Sequence, residues 1–254
     1  MSLIENVFNG EKINSLVIDA HGHYGTSLMP DFADTIKEMD RVGIDKYCCA
    51  PLYQNDKGLE FLQAYPDRVL LYHWYDPYYD MSEEELSKRL DVPGVIGFKI
   101  HPNANGVACN SKAFKTVWEL ANEKKTAVLS HTWYPNMYCD PSMYSGIAKD
   151  YPDAKIILGH SGGSVDGFLR SVKLVNKYEN IYMELDNTNH HYNQTEYLAK
   201  NADISKVLFG SDFPTEDFAP HLGPILAAQV EDTIKEKILG QNMKGLIESI
   251  NRYR

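Results

Sequence analysis

Asp19-Ala20-His21-Gly22-His23 follows the apolar run Leu16-Val17-Ile18, and the way this stretch ends decides how the rest of the chain is read. A strand stops where the histidines begin, so two imidazoles hang at the end of an extended segment. Three later apolar runs end alike, in Ser130-His131, in Gly159-His160-Ser161-Gly162-Gly163 and in Gly210-Ser211-Asp212-Phe213-Pro214. Four runs that each deliver a His or Asp at the same point describe one site assembled from strand ends. A closed parallel barrel keeps its chemistry there, at the carboxyl ends of its strands.

Working outward, strand-like runs cover residues 16–21, 47–52, 69–74, 95–102, 127–131, 155–160, 181–186 and 207–212. Between them, apolar residues recur at helical spacing over 31–40, 58–68, 111–125, 144–150, 165–178 and 195–201. Another helix is expected after Ser82, whose Glu83-Glu84-Glu85 makes an acidic first turn, and a long helical tail over 231–250. Strands alternating with helices predict a parallel sheet covered by helices. The polar residues converge from strands one, four, five, six and eight, whereas an open sheet would gather them at one switch point. No Pro-, Gly- or Ser-rich linker divides the chain. The expectation is a single (β/α)8 barrel over residues 1–254, close to the ~250 residues typical of that architecture.

Composition narrows the partners. A formal charge of −10 gives no basic footprint for nucleic acid. No run approaches the ~18 apolar residues of a membrane span, and the first residues lack the basic start and apolar stretch of a secretory signal. The four cysteines, Cys48, Cys49, Cys109 and Cys139, form no Cys-x-x-Cys pair, so neither a zinc-thiolate site nor a disulfide framework is expected. These features lead to the expectation of a soluble, cytoplasmic protein acting on a small molecule, with self-association an open possibility.

His21 and His23 are two apart, so both can project to the same side of an extended strand end. Neutral imidazole suits zinc and its neighbours, and His131 and Asp212 add a nitrogen and a carboxylate from two other strand ends. Such a set with an open position lowers the pKa of bound water to about 7 and generates hydroxide at neutral pH. Lys99 and His101 are also two apart and face one side at the fourth strand end. For Lys99 the reading from the residue alone is an ion pair with a neighbouring carboxylate; for His101, a substrate contact or a structural role. Aromatic residues crowd two loops, with Trp74, Tyr75, Tyr78 and Tyr79 in one and Trp133, Tyr134 and Tyr138 in the other. They suit a planar or sugar-like ligand, a cap on the hydrophobic layers or a subunit contact. Arg170 is the arginine placed nearest the expected mouth, and the stretch 186–191 offers polar contacts without a motif.

In its order, the motif set Asp-x-His-x-His, His131, Gly-His-x-Gly-Gly and Gly-Ser-Asp-Phe-Pro resembles the amidohydrolase superfamily. Within it, the pattern is similar to the amidohydrolase-related group of aminocarboxymuconate-semialdehyde decarboxylase-like enzymes and lactonases. Gly240-Gln241-Asn242-Met243-Lys244-Gly245-Leu246 resembles the ending common there. The resemblance implies a divalent metal, one Zn2+ with Mn2+ as the alternative, held by His21, His23, His131 and Asp212. It implies that His160 moves protons or polarises the substrate, and that Asp212 doubles as acceptor of a proton from water. For Lys99 it implies either a carboxylated lysine that bridges a second metal or an ammonium that holds an anionic substrate group. The reaction expected first is hydrolysis of an ester, lactone or amide; the alternative is metal-dependent, non-oxidative decarboxylation.

Overall fold

In the computed structural model, which describes residues 2–8, 12–24, 31–78, 82–186 and 191–251, every apolar run named above becomes a strand. They are β1 (Ile18–Tyr24), β2 (Lys46–Pro51), β3 (Val69–Trp74), β4 (Val95–Ile100), β5 (Ala127–His131), β6 (Lys155–Gly159), β7 (Ile181–Glu184) and β8 (Val207–Leu208). All neighbours are parallel and the sheet runs in chain order. Around it lie α1 (Leu3–Phe8), α2 (Phe32–Val42), α3 (Asn55–Ala64), α4 (Glu83–Leu90), α5 (Pro102–Asn105) and α6 (Lys115–Lys124). The second half adds α7 (Tyr144–Asp150), α8 (Val165–Lys177), α9 (Gln194–Asn201), α10 (Phe218–Ala227), α11 (Asp232–Glu236) and α12 (Asn242–Asn251).

Past its short ladder β8 returns to β1. Ala20 N–H donates to Phe209 O (2.9 Å), Asp212 N–H to His21 O (2.8 Å) and His23 N–H to Phe213 O (2.7 Å). The Asp19 carboxylate fastens the same seam by accepting from Ser211 N–H (3.2 Å) and Ser211 Oγ–H (2.5 Å). The sheet is thereby closed, and the fold is a (β/α)8 barrel.

Local signals account for most element ends. Gly43, at φ 84°, stops α2, and Ser82 starts the expected helix α4, in a capping box with Glu85. Helix α3 starts earlier than its periodicity suggests, at Asn55, and ends earlier because Tyr65 precedes Pro66 and is pushed out of helical geometry. Helix α10 was not expected, since Pro220 and Pro224 obscure its pattern. The tail expected as one helix is α11, a π-helical turn (Lys237–Gln241) and α12. Among the described residues, no helix is long and apolar enough to cross a membrane.

Two apolar clusters hold the barrel. The outer one packs residues such as Tyr47, Phe98 and Trp118 between sheet and helices. The inner one joins Ile18, Tyr72, Ile96, Leu129, Ile157 and Leu208 to Met243, Leu246 and Ile250 of α12, which plugs the end where the strands begin. Two bulges then decide what faces inward at the other end. Between Asp19 and Gly22, β1 carries one residue more than β2, and β4 carries one more than β3 between Val95 and Gly97. Each extra residue switches side-chain parity. Ile18 and Ala20 point inward below the first bulge, and His21 and His23 above it; Ile96 and Lys99 are related in the same way.

His73, buried on β3, is a pH probe of the fold. Its Nε2 lies 3.3 Å from Asn55 Nδ2, and Asn55 also clamps Trp74 N–H (2.8 Å) and Trp74 O (2.9 Å). Burial first, and the Arg89 charge second, push its pKa down to about 4. The unfolded imidazole takes a proton near pH 6.5 and the folded one does not. Stability is therefore fully present above pH 6.5 and falls as pH drops toward 4, by about 3 kcal/mol from this group. In urea unfolding, His73→Gln is expected to cost more at pH 7.5 than at pH 4.5; an equal cost at both would refute the assignment.

Candidate metal centre

The upper end of the barrel gathers polar side chains from six strands. β1 delivers His21 and His23, β4 Lys99, and β5 His131. The turn after β6 delivers His160, β7 Glu184 and, two residues on, Asp186, and the segment after β8 Asp212. All are buried except His131, which is partly exposed.

Hydrogen bonds orient both histidines of β1. His23 Nδ1 lies 3.0 Å from Ala50 O, an acceptor, so this nitrogen carries the proton and Nε2 presents a lone pair. That Nε2 points at Asp212 Oδ1, 2.8 Å away, in a contact that lacks hydrogen-bond geometry and leaves Oδ1 without a partner. His21 Nδ1 lies 2.8 Å from both Glu184 Oε2 and Asp186 Oδ2, which likewise leaves its Nε2 as the lone pair. His21 Nε2 sits 2.6 Å from Lys99 Nζ and 3.6 Å from Asp212 Oδ1. His160 Nδ1 bonds Asp186 Oδ1 at 2.5 Å.

The Nε2 atoms of His21 and His23 thus both face Asp212 Oδ1, and that of His21 also meets the Lys99 ammonium. Burial first, then Lys99 and His23, push His21 well below the usual imidazole range; burial likewise lowers His131 and His160. Burial works to raise Asp212, but the Lys99 ammonium is among the charges that hold it below the usual carboxylate range. Lys99 is pulled down to about 8 by burial, against the opposing pull of Asp212, Asp186 and Glu184. Burial and Asp186 push Glu184 up.

The backbone here is strained. His160 (φ 60°), Ser161 (φ 42°) and Asp212 (φ 59°) are left-handed without being glycine, at a cost of roughly 1–3 kcal/mol each. Ser161 Oγ donates to Glu184 O (2.5 Å), Ser171 Oγ to Ser161 O (3.0 Å), and Gly162 N–H to Thr132 Oγ1 (2.9 Å), so the turn after β6 is tied down on three sides. Strain clustered at one convergent polar site is the mark of a functional one.

A family model described as amidohydrolase matches residues 50–243, more than half of the chain. The chain belongs to the amidohydrolase family. Among solved structures, this amidohydrolase is similar to 5-carboxyvanillate decarboxylase from Sphingomonas paucimobilis (TM-score 0.74, 14% identity, 92% of this chain and 99% of that one). It is also similar to 5-carboxyvanillate decarboxylase from Novosphingobium aromaticivorans, complexed with manganese and a nitrobenzoic acid (0.71, 16%, 92% and 96%). A third is dihydroxybenzoic acid decarboxylase from Polaromonas with bound manganese and 2-nitroresorcinol (0.69, 17%, 92% and 97%). At these identities the likeness carries the fold. No curated protein matches the sequence.

The donor set of this amidohydrolase fits a divalent metal. One ligand atom from each of His21, His160, Asp186 and Asp212 lies within 4.8 Å of the others. His23 reaches the same Asp212 oxygen, and imidazole with carboxylate suits zinc, manganese or iron. The orphaned Asp212 Oδ1 is the observation that favours an ion here, since a buried oxygen without a partner is costly.

The remaining residues singled out in the sequence fall around this centre. His131 packs edge-on to His160 (centroids 4.5 Å), is stacked on His101 (3.9 Å, 13°) and lies parallel to Trp133 (6.2 Å, 7°). His101 Nδ1 also accepts Ala104 N–H (3.1 Å) and so caps α5. Trp74 lies 6.2 Å from His23 and 6.3 Å from His101. Arg170 contacts the Tyr134 ring (4.1 Å) and Asp140 (3.8 Å), because α8 carries it away from the His–Asp cluster. The hydroxyls of Tyr75 and Tyr78 bond the carbonyls of Ala113 and Asn105. His191 packs on Phe168, while Tyr79 and residues 187–190 lie outside the described residues. Glu184 was missed, and Asp186 was read only as part of the polar stretch 186–191. Their one signal was alternation, two acids at i and i+2 ending a strand.

Proposed function

We propose that this chain is a metal-dependent enzyme that decarboxylates a small planar carboxylic acid without oxidation, R–COO⁻ + H⁺ → R–H + CO2. The observation that carries this reading is the aromatic wall beside the donor set. His101, His131 and Trp133 are nearly parallel, and Trp74 lies beside His101, 6.3 Å away and tilted by 44°. Flat rings bind a flat acid and exclude water from its face. The similar structures named as decarboxylases of ring acids support it further.

His21, His23 and Asp212, with His131 completing the set, would hold a Zn2+ or Mn2+ ion, which would supply Lewis acidity toward a substrate oxygen. Lys99 remains an ammonium in this reading and offers a positive charge to the substrate carboxylate. His160, whose Nδ1 is committed to Asp186, takes up a proton at Nε2 and hands it to the carbon that CO2 leaves. The electron pair of the broken C–C bond becomes the new C–H bond.

Hydrolysis of a lactone or ester is the second reading, favoured by Asp212 alone. Its carboxylate is held ionised, with one oxygen unpartnered, as an acceptor for a proton from water must be. One assay separates the two. Protein stripped of metal and reloaded with Zn2+ or Mn2+ is offered hydroxybenzoates and a lactone panel, with CO2 and acid release followed together. Metal-dependent CO2 release from the ring acids is expected. Acidification with lactones and no CO2 from any acid would overturn the decarboxylase reading in favour of hydrolysis.

A further inference from the structure

We propose that Glu184 is the positioning residue of this centre: one buried carboxylate sets the tautomer of His21 and the placement of His160 and Asp186 together. The inference deepens the metal-dependent reading above and rests on it for its consequence, though not for its geometry.

Two carboxylates reach His21 Nδ1, and their roles differ. Glu184 Oε2 meets it at 2.8 Å with hydrogen-bond geometry. Asp186 Oδ2 is equally near but off the bond line and has no partner, while its other oxygen is committed to His160 Nδ1. The single N–H of the imidazole therefore goes to Glu184. The same Oε2 accepts His160 N–H (3.3 Å), and Oε1 accepts Asp186 N–H (2.5 Å). Three donors from three segments end on one fully buried side chain.

The fold makes room for it at the neighbouring strand. A Cβ on Gly210 would stand 2.1 Å from Glu184 Oε1, so this inward position next to β8 admits only glycine while Glu184 keeps its place. Ser161 Oγ–H holds the Glu184 carbonyl, which fixes the backbone from the other side. No other described residue bonds His21, His160 and Asp186 at once. A proton fixed on His21 Nδ1 leaves Nε2 to the metal, and a ring held this way also binds more tightly.

Glu184→Gln tests the proposal, because an amide has one acceptor oxygen for three donors. The first readout is the ring 15N spectrum of metal-free protein, with His21 assigned by its absence in His21→Ala. Wild type is expected to show protonated Nδ1 and unprotonated Nε2 at His21. In Glu184→Gln a population with protonated Nε2 should appear. The second readout is Zn2+ affinity by competition with a chromophoric chelator, expected to weaken by about 10- to 100-fold. Wild type with the proton on Nε2 overturns the proposal even if the variant does not fold. A folded variant that keeps Nδ1–H, or binds Zn2+ within about twofold of wild type, overturns it as well. If wild type binds no Zn2+, the functional reading fails while the tautomer spectrum still decides the role of Glu184.

Discussion

His21→Ala is expected to abolish stoichiometric metal binding. Protein purified without chelators should carry about one divalent ion per chain in the wild type and close to none in the variant. The size of the effect follows from the geometry. His21 Nε2 is one of two imidazole lone pairs aimed at the point that Asp212 Oδ1 also faces. Site affinities of about 10–16 kcal/mol shared among three or four ligands put the loss of one at roughly 3–4 kcal/mol, or about 10²- to 10³-fold. The substitution also removes the donor between Glu184 and Asp186, which should cost the metal-free fold about 1–3 kcal/mol. Elemental analysis with a Zn2+ titration measures the first effect, and urea unfolding the second. Wild-type metal content in the variant would mean that the ion is held elsewhere, and the site assignment would fall.

Gly97→Ala should be the most damaging single methyl group in the barrel. A Cβ at this position would lie 1.9 Å from Ala127 O and 2.6 Å from Ala127 C, both backbone atoms of the neighbouring strand that no rotamer change can move. To admit it, β4 and β5 must part where Gly97 pairs with Ala127. A loss of at least ~3 kcal/mol is expected, at the upper end of overpacking effects. For a chain of this size that is a fall in melting temperature of about 6–12 °C. Lys99 rides on the same bulge, so metal affinity should fall too. Gly146→Ala in α7 is the control: nothing lies within 4 Å of its Cβ, and helix propensity predicts a small gain. If the two variants melt together, the bulge at Gly97 is not the constraint described.

Much of the architecture was legible because a strand covered on both faces reads as an unbroken apolar run. Val69–Trp74 and Ala127–His131 were found at their observed limits for that reason. The carboxyl ends were legible too, since a His or Asp closing such a run has few structural uses. Parity was hidden. Ile18 and Ala20 face inward, and so do His21 and His23, which strict alternation forbids. Only the pairing partner reveals the extra residue of a bulge, and Gly22 and Gly97 mark the places without announcing them. Glu184 was hidden differently. In sequence it is an acid near a strand end, where solvent or a turn is the usual partner. Its value comes from His21, 163 residues earlier, and from the missing side chain at Gly210. Arg170 shows the converse: nearness in sequence to the Gly-His-Ser-Gly-Gly turn did not bring it to the cluster, because a helix turn intervenes.

The seam between Asp19 and Ser211 has a consequence for how the protein is made. Its two sides are 192 residues apart in the chain. While a ribosome adds residues at roughly 5–20 per second, β1 waits about 10–40 s with one edge unpaired and the Asp19 carboxylate still in water. For that interval the nascent chain presents an open strand carrying two histidines, which other unfinished chains and free metal ions can both reach. The last strand to emerge is the one whose following segment pairs that edge and sets Asp212 beside His21 and His23, so closing the barrel also assembles this cluster.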